Sequence, residues 1–230
     1  EGTEAEGTQA ERTEAEHATT AAESPVAHTG SNRRRFVLLA VSALLLALFS
    51  SPSSQLLNEY LRTEQGFDAL RITLFTIRTN TPGGIGVIVG GRLADTRGRR
   101  LVGAIAVAGG VGFTVLMFLG SGWWIWMWSV LGAVIGAAAL PALGVYGPEL
   151  FPTGSRGRAN GGINLAAVIG SMIGLLAAGQ LSEAFGGLPA AVTVLSLGPA
   201  VVVLLVLLAY PETAHRELEE LKPTDDRPPD

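Results

Sequence analysis

Side chains able to do chemistry are few in this chain, and most of them fall into three short strings. The first is Gly90-Gly91-Arg92-Leu93-Ala94-Asp95-Thr96-Arg97-Gly98-Arg99-Arg100, where one carboxylate stands among four arginines. The second is Pro148-Glu149-Leu150-Phe151-Pro152-Thr153-Gly154-Ser155-Arg156-Gly157, and the third is Pro211-Glu212-Thr213-Ala214-His215-Arg216-Glu217-Leu218-Glu219-Glu220. Carboxylates and guanidinium groups spaced in this way can make and break ion pairs at helix ends. Gly98 suits a tight turn, Gly91 suits close packing, and Asp95 is placed to accept hydrogen bonds from the first amides of a following helix. Pro152 stops a helix, because it lacks an N–H and restricts its neighbour, and so leaves Glu149 and Arg156 at a surface. The bland alternative for the first string is a basic anchor loop with an incidental carboxylate. Covalent chemistry is poorly provided for. The histidines are His17, His28 and His215, all outside the apolar runs, and cysteine is absent. No nucleophile with its base and no metal-ligand cluster is spelled out, so neither an enzyme nor a cofactor is expected.

The elements that must hold these strings are long apolar runs at 36–57, 72–94, 101–119, 123–147, 161–182 and 188–210. Each is near the ~20 residues that a helix needs to cross hydrocarbon. A transmembrane barrel would need alternating segments of ~10 residues, so the pattern predicts an all-α bundle of six transmembrane helices over 33–210. Glycines recur four apart, as Gly86 and Gly90, Gly132 and Gly136, Gly170 and Gly174, a spacing that lets helix backbones approach closely in lipid. Residues 1–32 are rich in Glu, Thr, Ala and Gly with almost no large apolar residue, which predicts a disordered acidic segment. That segment has no basic region followed by an apolar run, so it does not read as a signal peptide. The start at Glu1 suggests a piece of a longer protein. Residues 211–230 read as a polar tail with a short helix.

Basic residues assign the sides of the membrane, because cytoplasmic loops hold the excess. Arg33 to Arg35, Arg92, Arg97, Arg99, Arg100, Arg156, Arg158, Arg216, Lys222 and Arg227 fall on one side, and only Arg62 and Arg71 on the other. Both ends of the chain are therefore expected in the cytoplasm, in a multi-pass protein of the plasma (inner) membrane. Trp123, Trp124, Trp126 and Trp128 open the fourth run where an outer aromatic belt would lie. Arg33 to Arg35 find anionic headgroups nearby, and no nucleic-acid partner is implied.

The first string resembles the G-x-x-x-D-R-x-G-R-R loop of the Major Facilitator Superfamily, matching at Gly91, Asp95, Gly98, Arg99 and Arg100 and departing at Thr96. The second is similar to the E-x-F-P-T-x-x-R-G signature of its sugar-porter-like members, and the third to their P-E-T-K-G-R-S-L-E-E string, departing at Ala214, His215 and Glu217. In this order they correspond to the C-terminal six-helix half of a twelve-helix carrier, with the acidic segment as part of the loop between halves. The resemblance implies a secondary active transporter in which two bundles rock about a central site. Gly91, Asp95, Gly98, Arg99, Arg100, Glu149, Arg156 and Glu212 would form the cytoplasmic gate. Its partners would be a small polar solute, with or without a coupling proton, the lipid bilayer, and the N-terminal half.

Residues that could meet the solute are Gln55, Asn58, Arg78, Asn80, Tyr146 and Asn164. Arg78 either binds an anion or snorkels to the outer surface, and Pro82, Gly83 and Gly84 predict a bend just below it. The sugar contacts of the family are not matched. Gln55 and Asn58 have no glycine between them, and Gly144 stands where those carriers have tryptophan, which argues against a hexose. Glu59, Asp68, Glu149 and Glu183 lie near run ends, so a coupling carboxylate is expected in the other half. A non-transporting receptor or interaction subunit on the same fold is the competing reading.

Overall fold

A computed structural model of the chain describes the backbone over residues 25–144 and 153–210 and the side chains over 33–144 and 157–210. The chain divides into two units, 1–36 and 37–230. Within the first, the described residues 25–36 are helical. Helix α1 is thus already helical at Pro25, the first described residue, inside the segment whose composition predicts disorder.

Every described element is an α-helix: α1 (Pro25–Gln55), α2 (Leu57–Thr63), α3 (Ala69–Asn80), α4 (Gly83–Arg97), α5 (Arg99–Leu119), α6 (Trp123–Ala137), α7 (Ala139–Leu143), α8 (Thr153–Phe185), α9 (Leu188–Leu195) and α10 (Leu197–Ala209). Among the described residues, five stretches are long and apolar enough to cross a membrane, namely Arg33–Gln55, Arg99–Leu119, Trp123–Leu143, Gly157–Phe185 and Leu188–Ala209. The second expected crossing differs. It is divided into α3 and α4, of 12 and 15 residues, because Pro82 has no amide to offer the Arg78 carbonyl one turn earlier. Thr81 and Pro82 both keep right-handed helical dihedral angles, so the helical ladder is interrupted without the chain reversing.

Helix α5 occupies the middle of the second unit, packing on α4, α6, α7, α9 and α10. Glycine makes several of the crossings possible. A β-carbon at Gly86 or Gly90 on α4 would overlap Val134 or Ala138, and one at Gly170 or Gly174 on α8 would overlap the Leu44 or Leu48 backbone of α1. On α5, a β-carbon at Gly110 would fall 2.6 Å from the Gly136 Cα. These backbones touch directly, which is the dispersion-driven packing available where lipid removes the hydrophobic incentive for helices to associate. Hydroxyls tie two of the pairs: Ser51 donates to Ser171 at 2.7 Å, and Thr79 to Ser129 at 3.1 Å.

The main core gathers at one end of the bundle around Phe49, Tyr60, Leu61, Phe75, Met117, Phe118, Ile125, Ala178, Val192 and Leu195. Tyr60 is fully buried. Its ring lies 4.7 Å from that of Phe118, and its hydroxyl donates to the Phe118 carbonyl at 2.8 Å while accepting from Gln65 at 2.9 Å. That carbonyl belongs to the last turn of α5, whose acceptors have no partner within the helix. Burial raises the Tyr60 pKa above its ordinary value; the Gln65 hydrogen bond works against the shift and the nearby Glu64 charge adds to it.

Candidate functional site

The turn between α4 and α5 carries the first charged string. Its shape depends on Gly98, which is buried at φ 97°, a conformation that excludes most side chains. The turn is held down by a small apolar cluster of Ala94, Val102 and Ala142, from α4, α5 and α7. Close packing falls at Gly90, as the four-residue glycine spacing predicts, and not at Gly91. Gly90 is the position with no room for a β-carbon, whereas one at Gly91 would meet Pro141 at 3.7 Å, an ordinary contact.

Asp95 lies in the last turn of α4 with its side chain 71% exposed, 3.9 Å from the Arg99 guanidinium, which is 20% exposed. The carboxylate therefore points at a side chain four residues on, and among the described residues it caps no amide of α5. Gly98 breaks the helical phase between the two residues, and the short turn it makes brings the end of α4 beside the start of α5. The pair is long and wet, which makes it weak and easily parted. Arg92 and Arg97 are exposed and Arg100 half-buried, so the end of α4 and start of α5 form a basic rim around one acid. Glu149 and Glu212 lie outside the described residues, as does the Arg156 side chain, although the Arg156 backbone belongs to α8. The structure thus brings together Gly91, Asp95, Gly98, Arg99 and Arg100 out of the eight.

The residues expected to meet a solute are spread more widely. Gln55 ends α1, Asn58 lies in α2, Arg78 and Asn80 in α3, and Asn164 in α8, all exposed; Tyr146 is outside the described residues. Of these, Arg78 has a distinctive setting. Its guanidinium carbon stands 5.6 Å from the Trp123 ring centre and 5.8 Å from that of Trp126. Trp126 in turn stacks on Phe67 at 5.9 Å and meets Phe75 edge-on at 5.1 Å. One residue along α3, Thr79 is bonded to Ser129, which itself donates to the Trp126 carbonyl at 3.0 Å. The arginine therefore sits on a platform anchored from two helices. Sequence reading missed this partnership, and it also missed Ser51 with Ser171. Isolated Ser and Thr inside apolar runs were the available signal, because a hydroxyl in lipid seeks a partner on a neighbouring helix.

No curated protein matches the chain. A family model described as Major Facilitator Superfamily matches residues 35–228, a range that takes in the membrane-length helices and the charged turn. The chain belongs to the Major Facilitator Superfamily, whose members are transporters rather than enzymes.

Proposed function

We propose that this chain is the C-terminal half of a secondary active carrier of the sugar-porter-like branch, moving a small polar solute by alternating access. Counting α3 and α4 as one proline-interrupted crossing gives six spans, and the basic turn, with both chain ends, lies on the cytoplasmic side. The N-terminal half is the missing partner, and the gate comprises Gly91, Asp95, Gly98, Arg99, Arg100, Glu149, Arg156 and Glu212. The observation that carries this reading is the α4–α5 turn: within a matched transporter sequence, it presents an exposed carboxylate at 3.9 Å from a mostly covered guanidinium. A contact that must open and close in every cycle has to be weak, because a strong one would trap a single state.

The test is uptake into proteoliposomes by the complete carrier, with a panel of radiolabelled carboxylates, polyols and amino acids. Asp95→Lys should slow uptake of whichever solute is carried by roughly tenfold or more, since a shift of ~1.4 kcal/mol between two states is a tenfold population change. Its amount in the membrane should stay the same. Uptake kinetics unchanged by Asp95→Lys would remove the gate assignment. Saturable binding with no flux for any solute would favour the non-transporting subunit instead.

A further inference from the structure

Arg78 stands deep in the apolar run 72–94, whereas Arg92, also in that run, is two residues from its end. A cation beside hydrocarbon is costly without a counter-charge, yet among the described residues no carboxylate lies within ion-pair distance of it. The two indoles at 5.6 and 5.8 Å offset part of that cost. They do so through the negative π faces of their rings, which attract the cation without accepting its five N–H donors as a carboxylate would. Among the described residues no acceptor takes any of those donors. The neighbouring hydroxyls direct their protons elsewhere, Thr79 to Ser129, Ser129 to the Trp126 carbonyl and Thr81 to the Ile77 carbonyl, and none of them accepts from Arg78. The guanidinium is therefore held beside two indoles while its donors keep their capacity for an oxyanion.

We propose that Arg78, seated on Trp123 and Trp126, is an oxyanion-binding point, and that the solute recognised by this carrier bears a carboxylate or phosphate group. A planar guanidinium matches two oxygens of either group. The statement about the solute rests on the transport reading above; the binding point itself does not. A phospholipid phosphate offers the same chemistry, so the test separates the two sources.

All four tryptophans lie between positions 123 and 128, which makes indole emission a local reporter. The 230-residue chain, purified in dodecyl maltoside micelles that carry no phosphate, is titrated with sodium acetate and with sodium phosphate against sodium chloride at matched ionic strength. The expected result is a saturable change in emission that weakens roughly tenfold or more in Arg78→Gln, the scale of a lost charge-assisted bond. Arg78→Lys should fall between the two, keeping the charge and losing the fork. Circular dichroism checks folding, and if Arg78→Gln does not fold, Arg78→Lys with Trp123→Leu carries the comparison. An absent response in the unaltered chain, or an equal one in the variants, overturns the site.

Mixed micelles with phosphatidylglycerol supply the second arm. If that lipid alone produces the Arg78-dependent change and acetate and phosphate then add nothing, the oxyanion is a headgroup and the solute claim falls. Uptake of a neutral solute without any anion response overturns this inference and leaves the carrier intact. An Arg78-dependent anion response without flux supports the binding point and overturns the carrier.

Discussion

At the scale of single residues, Tyr60 shows what a buried hydroxyl contributes. Tyr60→Phe removes the donor to the Phe118 carbonyl and the acceptor for Gln65 without opening a large cavity. A loss of about 1–2 kcal/mol is expected, read as a lower midpoint in thermal unfolding of the purified chain. The same residue gives a pH dependence. Its pKa is raised in the folded chain, chiefly by burial, so the folded state favours the neutral phenol. That stabilisation is complete below the ordinary tyrosine value of 10.0 and is lost as pH climbs through the raised one. Midpoints measured between about pH 8 and 11 should therefore decline less steeply at the alkaline end in Tyr60→Phe than in the unaltered chain. Legibility at this scale followed locality. Gly98 could be read because a tight turn between charged helix ends calls for glycine, and its φ of 97° agrees. The platform under Arg78 could not, because Trp123 and Trp126 are more than forty positions away and only the crossing of α3 with α6 brings them together. The capping role expected of Asp95 failed because its choice between an amide and a side chain is set by the path the backbone takes through Gly98.

Helices and their crossings form the next scale. Glycines four apart marked contact faces in the sequence, and a β-carbon at Gly86, Gly90, Gly170 or Gly174 would overlap a facing helix. Position Gly161, also in α8, has open space around it and serves as the control. Gly170→Val should destabilise the chain by about 1–3 kcal/mol, the usual cost of overpacking. Gly161→Ala should be neutral or stabilising by up to ~1 kcal/mol, since alanine loses less backbone freedom in a helix. Resistance to unfolding in sodium dodecyl sulfate provides the comparison; equal losses in both variants would show that helix propensity and not the α1–α8 contact governs the effect. Five of the expected crossings appear as membrane-length helices. An interruption at Pro82 was readable from covalent chemistry, whereas its consequence, two helices each too short to span by itself, depended on where the ladder lost its bonds. The extension of α1 back to Pro25 was hidden by a composition that favours disorder.

For the whole molecule, the decisive quantity is how many times the chain crosses the bilayer. Absence of cysteine makes every introduced thiol a unique reporter. Arg62→Cys and Thr96→Cys flank the α3–α4 pair at exposed positions, and a membrane-impermeant maleimide should label them from opposite faces of sealed vesicles. Labelling from the same face would mean that the proline-interrupted pair does not cross. The all-α membrane class and the charged turn were legible because periodic apolar runs and charge placement are written along the chain. The joining of remote loops was not. Glu64, just past α2, accepts from the Leu188 amide at 3.2 Å across 124 positions, holding the first amide of α9 beside Gly187, whose φ is 146°. During synthesis, Glu64 emerges while most of the remaining helices have yet to be made. Its carboxylate must face water until the α8–α9 hairpin enters the membrane. The fastening of this end of the bundle thus waits until Leu188 has been made, and a chain cut short before that residue leaves it permanently undone.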